Sequence, residues 1–192
     1  MFRIHILPLN DQKLTGRLTR AFQAMMRKGD GETGMRAARI REHKEHLLAF
    51  RFQSKYYFNT ICLVPVACEI NRSRTSVNFS VPAFNAKTLI VSPKGSTHFR
   101  FTFMVGILSD LTYALNENRY VPVQPEHVGY YNSTASPMIE RTASTETMKF
   151  SLKVPKTSVN AVLACVEIVF YPEDNDLYPL ISHRALVVLD VF

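Results

Sequence analysis

The sequence contains no tryptophan and has only seven glycines and three cysteines among its 192 residues. So few glycines provide little for the Gly-rich loops that cradle phosphates in nucleotide-binding proteins. No Gly-x-Ser-x-Gly, His-Glu-x-x-His or Cys-x-x-Cys motif occurs. These absences weaken an enzymatic interpretation, so we expect a protein that is not an enzyme and needs no cofactor.

Long apolar runs are also missing, because none approaches the roughly 20 residues that a helix needs to cross a bilayer. The longest run, residues 61–68, is short and contains Pro65. The first residues lack the apolar stretch and the cleavage site of a signal peptide. The sequence therefore predicts a cytoplasmic protein, or one that forms part of an assembled particle or filament.

The cysteines are odd in number. Cys62 and Cys68 are expected on one strand, too far apart for a disulfide, and Cys165 lies in an apolar run. Free cysteine is among the most buried residue types, so we interpret all three as reduced core thiols. A metal site or a catalytic thiol is the alternative.

Positive charge is concentrated at one end of the chain. Residues 1–55 contain twelve Lys and Arg against five Asp and Glu, whereas residues 56–192 contain eleven of each kind. The whole net charge of +7 therefore belongs to the first segment. The hydrophobic periodicity changes close to the same point, which predicts a basic arm and helical segment over residues 1–46 and a second domain over residues 47–192.

Helical spacing dominates the first segment. Over residues 12–28 one apolar stripe is formed by Leu14, Leu18, Ala21, Phe22 and Met25. Asn10 and Asp11 can cap this helix, and glycines follow its end. A second helix with a thin apolar stripe is predicted over residues 35–46, and residues 2–7 are predicted to form a short strand or arm.

A two-residue period follows from residue 47 onward and predicts β-strands. The predicted strands are residues 47–58, 61–70, 77–81, 88–92, 98–107, 119–123, 148–154, 160–171 and 185–192. Many strands without intervening helices predict a mainly β fold, an antiparallel β-sandwich or jelly roll. Residues 124–147 are predicted to be one long connection, and such connections are usually functional. Tyr130 and Tyr131 in it are candidate contacts for a carbohydrate or protein ligand.

Several short stretches carry a family resemblance. They are residues 14–20 (LTGRLTR), 47–53 (LLAFRFQ), 81–84 (VPAF), 92–99 (SPKGSTHF) and 178–180 (YPL). On these the chain resembles an uncharacterised family of Bacteroidetes proteins of about this length, although it departs from their pattern after Arg20. The resemblance implies a helical N-terminal segment followed by a β-sandwich. It implies no activity, because none is known for that family.

Metal-binding patterns are poorly developed. His43 and His46 lie beside Glu42 and Glu45, but their spacing is not that of a helical metal site, so we expect a solvated polar face. The acidic residues 173–176 lack the glycine and distal glutamate of an EF-hand loop and are expected to form a solvated turn. The other histidines are expected to be surface or hydrogen-bonded residues: His5, His98, His127 and His183.

Basic residues on the predicted helices are the strongest positive signal. The candidates for binding a polyanion or partner are Lys13, Arg17, Arg20, Arg27, Lys28, Arg36, Arg39 and Arg41. They can neutralise the phosphates of a nucleic acid, without base specificity because no recognition motif accompanies them. They can equally face an acidic protein or an anionic lipid, or simply form the solvated face of a docked helix.

Three functional hypotheses follow. The first is a self-assembling structural protein, a homo-oligomer that packs through the sandwich edges while its basic segment faces a neighbour or a polyanion. The second is a soluble binding module that uses the connection over residues 124–147. The third is an enzyme without recognisable motifs.

Overall fold

In the computed structural model the described residues are 11–48, 50, 52–53, 56–157, 159–172 and 184–192. The chain is mainly β, with antiparallel sheets and a short N-terminal helix, which confirms the predicted fold class. The helices are α1 (Leu14–Lys28), α2 (Glu45–Leu48), α3 (Phe58–Ile61) and α4 (Ala86–Leu89). None of the helices in the described ranges has the length and apolarity needed to span a bilayer.

The described strands form two larger sheets and two small ribbons. They are β1 (Ala67–Ile70), β2 (Ser76–Val81), β3 (Phe84–Asn85), β4 (Ser96–Leu108), β5 (Leu111–Ala114), β6 (Arg119–Pro122), β7 (Tyr131–Ala135), β8 (Ile139–Glu140), β9 (Ser144–Thr145), β10 (Met148–Lys153), β11 (Ala161–Pro172) and β12 (Arg184–Val191). The order β12-β11-β4-β7, with β8 also on β4, gives a five-stranded sheet. A three-stranded sheet has the order β1-β2-β10, and β3 with β9 and β5 with β6 form the ribbons.

The two larger sheets pack face to face over an aromatic core. Phe99, Phe101 and Phe103 alternate along β4, as the two-residue period predicts, and they meet Phe79 of β2 and Phe170 of β11. The ring of Phe103 stacks on that of Phe150 at a centroid distance of 4.6 Å. We call the face of the five-stranded sheet that carries these rings the sandwich side.

The opposite face of the five-stranded sheet is covered by the N-terminal segment, and we call it the helical side. Leu14 and Met25 of α1 are buried there with Met104, Cys165 and other residues of the sheet. Gly29 ends the helix where the chain turns back, and a Cβ atom there would lie 1.9 Å from the carbonyl oxygen of Ala37. Only glycine permits so close an approach of the two backbone segments.

The second predicted helix, over residues 35–46, is wrong. Its first ten residues contain no helix, and only α2 begins at Glu45. Ala38 instead forms an isolated bridge with Leu111, and the Asp110 carboxylate accepts the N–H of Ile40 at 2.7 Å. These tertiary hydrogen bonds outweigh a helical propensity that a thin apolar stripe could not support.

Several strand predictions also need correction. The predicted strand over 47–58 is wrong, because α2 and α3 flank it and no described residue between them pairs in a sheet. In the 61–70 prediction only Ala67–Ile70 is a strand. In the 88–92 prediction α4 extends to Leu89 and Ile90 makes a single bridge with Cys62. Apolar residues at every second position predict strands, but in these segments they anchor irregular chain to the core.

The expected long connection over residues 124–147 is also wrong. It contains β7, β8 and β9, which pair with β4 and β3. These strands are short or rich in Ser, Thr and Asn, so their sequence has the composition of a loop. The predicted arm over 2–7, the acidic residues 173–176, His5 and His183 lie outside the described residues.

Candidate polyanion interface

The exposed face of α1 carries a line of cations. Lys13, Arg20 and Arg27 are all exposed and succeed one another at intervals of seven residues, so they project from nearly the same side of the helix. Successive members are about 10 Å apart along the axis, at 1.5 Å per residue. The sequence of α1 contains no acidic residue. We call these three residues the cationic line.

The cationic line lies opposite the buried stripe. At about 100° per residue, its members are roughly 200° from the stripe centred on Leu18 and Met25. Leu14 and Met25 are buried, and Leu18, Ala21, Phe22 and Met26 pack against the same core. The helix therefore docks through one side and presents charge on the other.

Two further predicted cations lie on the flank of α1 and are held in ion pairs. Arg17 contacts the Asp11 carboxylate at 2.9 Å and donates to the carbonyl oxygen of Phe52 at 3.0 Å. Lys28 contacts Glu45 at 2.8 Å. The hydrogen bond from Lys28 is the main reason that the pKa of Glu45 lies below its usual value. These two cations connect α1 to the rest of the helical layer.

The predicted cap at Asp11 is wrong, because Lys13 is the N-cap residue of α1 and no side-chain capping hydrogen bond is made there. Asp11 instead accepts the backbone N–H of Lys13 itself at 2.9 Å. His43 and His46 both lie near Glu45, with nitrogen-to-oxygen distances of 3.8 and 3.6 Å. No group of three His, Cys, Asp or Glu side chains that could hold a metal ion occurs within the described part of the chain.

The three remaining predicted cations lie beyond the end of α1. Arg36 donates to the carbonyl oxygen of Arg27 at 2.7 Å. Arg39 lies 3.8 Å from both Asp30 and Asp110. Arg41 is exposed and lines a separate open cleft. The eight predicted residues therefore do not form one continuous surface.

The cleft beside Arg41 has a volume of about 660 Å³ and is also lined by Lys44 and Arg74, which the sequence did not single out. Arg74 adopts a φ of 55° and donates to the carbonyl oxygens of Thr157, Asn160 and Phe192. Burial, and then the nearby charge of Arg41, lower the pKa of Arg74. Its sequence neighbours identify a turn, but the three carbonyl partners come from distant residues and could not be predicted.

Tyr130 and Tyr131 occupy adjacent but different environments. The Tyr130 hydroxyl donates to the carbonyl oxygen of Lys153 at 2.9 Å, and its ring packs against the sandwich-side core. Tyr131 begins β7 and packs against the helical-side core. Burial raises the pKa of Tyr131, although a hydrogen bond with Ser133 opposes the change. Both rings are half-buried, and their role as ligand contacts stays a prediction.

A buried ion pair on the helical side was also not anticipated. Glu167 is fully buried on β11, and its carboxylate lies 3.1 Å from the guanidinium of Arg184 on β12. The guanidinium of Arg100 lies over the ring of Tyr171, 5.3 Å from its centroid. The sequence places Glu167 within an otherwise apolar run, and this isolated charge was the available signal for a buried partner.

All three cysteines are free, which confirms that they form no disulfide. Cys62 and Cys165 are buried, whereas Cys68 is half-buried. Burial raises the pKa of Cys62 to about 11 and that of Cys68 to about 12, and it also raises the pKa of Cys165. Contrary to expectation, Cys62 does not share a strand with Cys68, because β1 begins only at Ala67.

No protein-family model matches this chain, and no curated protein or solved structure matches it either. The likeness to the Bacteroidetes proteins therefore stays a resemblance of short stretches. What can be inferred about function comes from the geometry of the chain itself.

Proposed function

We propose that the protein is a non-enzymatic binding protein whose helical side holds a polyanion, with the backbone of a nucleic acid as the ligand class. The observation that carries the proposal is the cationic line: two exposed arginines on a helix without an acidic residue, and an exposed lysine at the N-cap of that helix. Contacts to phosphates alone give binding without base specificity and with strong salt dependence.

The residues of the cationic line are better candidates for binding an anion than the cations on the flank of α1. Lys13, Arg20 and Arg27 have no ion pair with any described residue, so no carboxylate in that part of the chain has to be displaced by a ligand that reaches them. Lys13 also stands at the N-terminal end of α1, where the helix dipole is positive. A cation at that end costs helix stability and strengthens the attraction for an anion, as expected of a binding surface.

Arg17 and Lys28 contribute differently to this proposal. Reversing the charge of Arg17 would break its ion pair with Asp11 and its hydrogen bond to Phe52, so a loss of binding would not distinguish a contact from a structural role. The informative variant is Lys13→Glu/Arg20→Glu/Arg27→Glu, because none of these side chains has a described ion-pair partner.

The test is the salt dependence of binding to fluorescein-labelled duplex DNA and to a single strand of the same length. We expect the triple variant to reduce the slope of log K against log salt by about 2 to 3 for duplex DNA, since each lost phosphate contact removes about 0.9. The matched control, Lys87→Glu/Lys94→Glu/Lys149→Glu, changes the net charge equally at exposed lysines away from α1. It should retain most of the wild-type slope.

Two results would count against the proposal. If the control variant loses as much affinity as the triple variant, only net charge matters and the cationic line is not a site. If the wild-type protein binds neither DNA at low salt, the ligand class is wrong.

A second candidate function, self-assembly through a sheet edge, is favoured by β1. Among the described strands β1 pairs only with β2, so one edge of Ala67–Ile70 has no strand beside it. At the other edge of this sheet, Tyr130 and Asn132 donate side-chain hydrogen bonds to the carbonyl of Lys153 on β10. Within this three-stranded sheet, strand addition between copies would therefore use β1.

Light scattering tests this second candidate. Assembly predicts a mass well above 21.9 kDa that falls toward the monomer mass in Ala67→Lys, because charge on an edge strand opposes edge-to-edge pairing. The substitution Lys149→Ala on β10 is the control and should leave the mass unchanged. A monomeric wild-type protein at high concentration would exclude assembly through this edge and leave polyanion binding unaffected.

A further inference from the structure

A hairpin formed by β5 and β6 stands at the C-terminal end of the cationic line. In the segment that leaves α1, Ala38 exchanges backbone hydrogen bonds of 2.8 and 3.0 Å with Leu111 of β5. The Tyr120 hydroxyl on β6 donates to the carbonyl oxygen of Gly34, in the same segment, at 3.2 Å. The hairpin is therefore held against the chain that follows α1, at the Arg27 end of the cationic line.

Two tyrosine rings of this hairpin are used by neither core. Tyr113 of β5 lies directly opposite Tyr120 of β6, and the two rings meet edge to face with centroids 5.3 Å apart. Both are half-buried, and neither is among the described residues that pack against the sandwich-side or helical-side core, in contrast to Tyr130 and Tyr131. Leu115, at the turn of the hairpin, is 77% exposed. The hairpin therefore presents aromatic and apolar surface that folding does not bury.

Acidic residues in the hairpin and in the segment after α1 limit where phosphates can lie. Asp30 lies 3.8 Å from Arg39, and Glu117 accepts a hydrogen bond from Nε of Arg119 at 2.7 Å. Glu32 has no ion pair with any described residue, so its negative charge disfavours a phosphate beside this segment. A strand that continues past the cationic line can therefore meet the hairpin with its bases better than with its phosphates.

We infer that the nucleic acid bound by the cationic line is single-stranded, with a base stacked on the rings of Tyr113 and Tyr120. This inference rests on the proposed function, because the cationic line supplies the contacts to phosphates. Proteins that bind single strands combine a positively charged surface with aromatic side chains on which the bases stack. In a duplex the bases are stacked on one another, so bringing one onto the tyrosines would require it to be unpaired and unstacked.

Two labelled strands separate stacking from charge: an oligothymidylate, and an abasic strand of the same length that carries the same phosphates without bases. We expect the wild-type protein to bind the oligothymidylate about tenfold more tightly, which is within the range for one base stacked on an aromatic side chain. In Tyr113→Leu/Tyr120→Leu the two affinities should become equal. The slope of log K against log salt should stay unchanged in this variant, because no phosphate contact is lost.

The matched control is Tyr113→Phe/Tyr120→Phe. It keeps both rings and removes the hydroxyls that donate to Asn118 and Gly34, so the preference for the oligothymidylate should persist. Thermal unfolding of both variants checks that the hairpin substitutions leave the protein folded. The comparison of the two strands with wild-type protein tests the inference even where the leucine variant does not fold.

Three results would overturn the inference. Equal affinity of the wild-type protein for the two strands, with salt-dependent binding of both, would overturn it and leave the proposed function standing. A preference for the oligothymidylate that survives in the folded leucine variant would show that the bases are contacted elsewhere. Binding of neither strand at low salt would overturn the proposed function together with this inference.

Discussion

The two sides of the five-stranded sheet differ in what they bury. The sandwich side encloses closely packed phenylalanine rings: the ring centroid of Phe101 lies 5.7 Å from that of Phe99 and 6.2 Å from that of Phe103. The helical side encloses the rings of Phe50 and Phe52, but its other buried residues are aliphatic or contain sulfur, such as Met25, Ala38 and Met104. It also encloses the Glu167–Arg184 ion pair and carries the cationic line on its outer surface.

This difference indicates that the two sides of the sheet have different roles, one in stability and the other in binding. Close aromatic packing supplies stability and a unique register on the sandwich side, where a polar group would need its own partner. The helical side accommodates buried charge and the surplus positive charge of the molecule. The cationic line therefore lies on the outer surface of the helical side, and variants can separate stability on one side from binding on the other.

The largest loss of stability is expected from substitutions on the sandwich side. Phe103 is fully buried against Phe79 and Phe150, so Phe103→Ala should lower the free energy of unfolding by about 3 to 5 kcal/mol. Denaturant unfolding measures this loss. Phe103→Leu leaves a smaller cavity and should therefore lose less stability. Its folded form should bind DNA as the wild-type protein does. Reduced DNA binding by folded Phe103→Leu would contradict the division between the two sides.

The buried ion pair on the helical side should give the next largest effect. Arg184→Met leaves the Glu167 carboxylate buried without its guanidinium and should cost about 3 kcal/mol. The double variant Glu167→Leu/Arg184→Met should recover most of this loss, because two apolar groups can replace a buried pair. Chemical denaturation of both variants checks the expectation, and a double variant no more stable than the single one would refute it.

Thiol ionisation should give an intermediate effect at high pH. An unfolded thiol titrates near a pKa of about 8.5, whereas burial raises the pKa of folded Cys62 to about 11. The unfolded chain therefore loses this proton first, so stability is full below about pH 8.5 and falls as pH rises toward 11. By pH 10 the loss from Cys62 should be about 2 kcal/mol.

Cys62→Ala tests this effect by urea unfolding at several pH values. Its stability should fall less steeply than that of the wild-type protein above pH 8.5. Parallel pH profiles for the two proteins would show that Cys62 ionises freely while the protein is folded.

The smallest effect concerns the two ends of the cationic line. Lys13→Glu places an acid at the positive end of the α1 dipole and should stabilise the protein by about 0.3 to 1 kcal/mol. Arg27→Glu places an acid in the last turn and should destabilise it by a similar amount. Both should weaken DNA binding. Thermal unfolding at low salt shows whether each variant is more or less stable than the wild-type protein. If DNA affinity rose in Lys13→Glu and fell in Arg27→Glu, in parallel with stability, the cationic line would not be a binding surface.

Prediction from sequence succeeded where one periodicity extended over many residues. The stripe from Leu14 to Met25 defined α1, and alternation or unbroken apolarity defined β2, β4, β10, β11 and β12. It failed in the irregular chain between α1 and β1. Phe50, Phe52 and Phe58 are buried there, but anchoring to a core and pairing in a strand leave the same pattern of apolar residues.

The candidate sites were predicted to different degrees. The excess of positive charge and its position before the sheet were evident from composition alone. The separation of Lys13, Arg20 and Arg27 from Arg17 and Lys28 required the positions of Asp11 and Glu45. Neither the cleft around Arg74 nor the position of Tyr113 and Tyr120 beside the end of α1 could be predicted, because each depends on segments far apart in the chain.

The long elements, the mainly β class and the end of the chain that carries the net charge could all be predicted before any contact was known. These follow from local periodicity and from counting, and neither depends on which segments meet. Which cations are paired with carboxylates, which polar groups are buried and where cavities remain depend on how the segments pack together. Those outcomes depend on distances between residues remote in sequence, and a linear pattern contains no information about such distances.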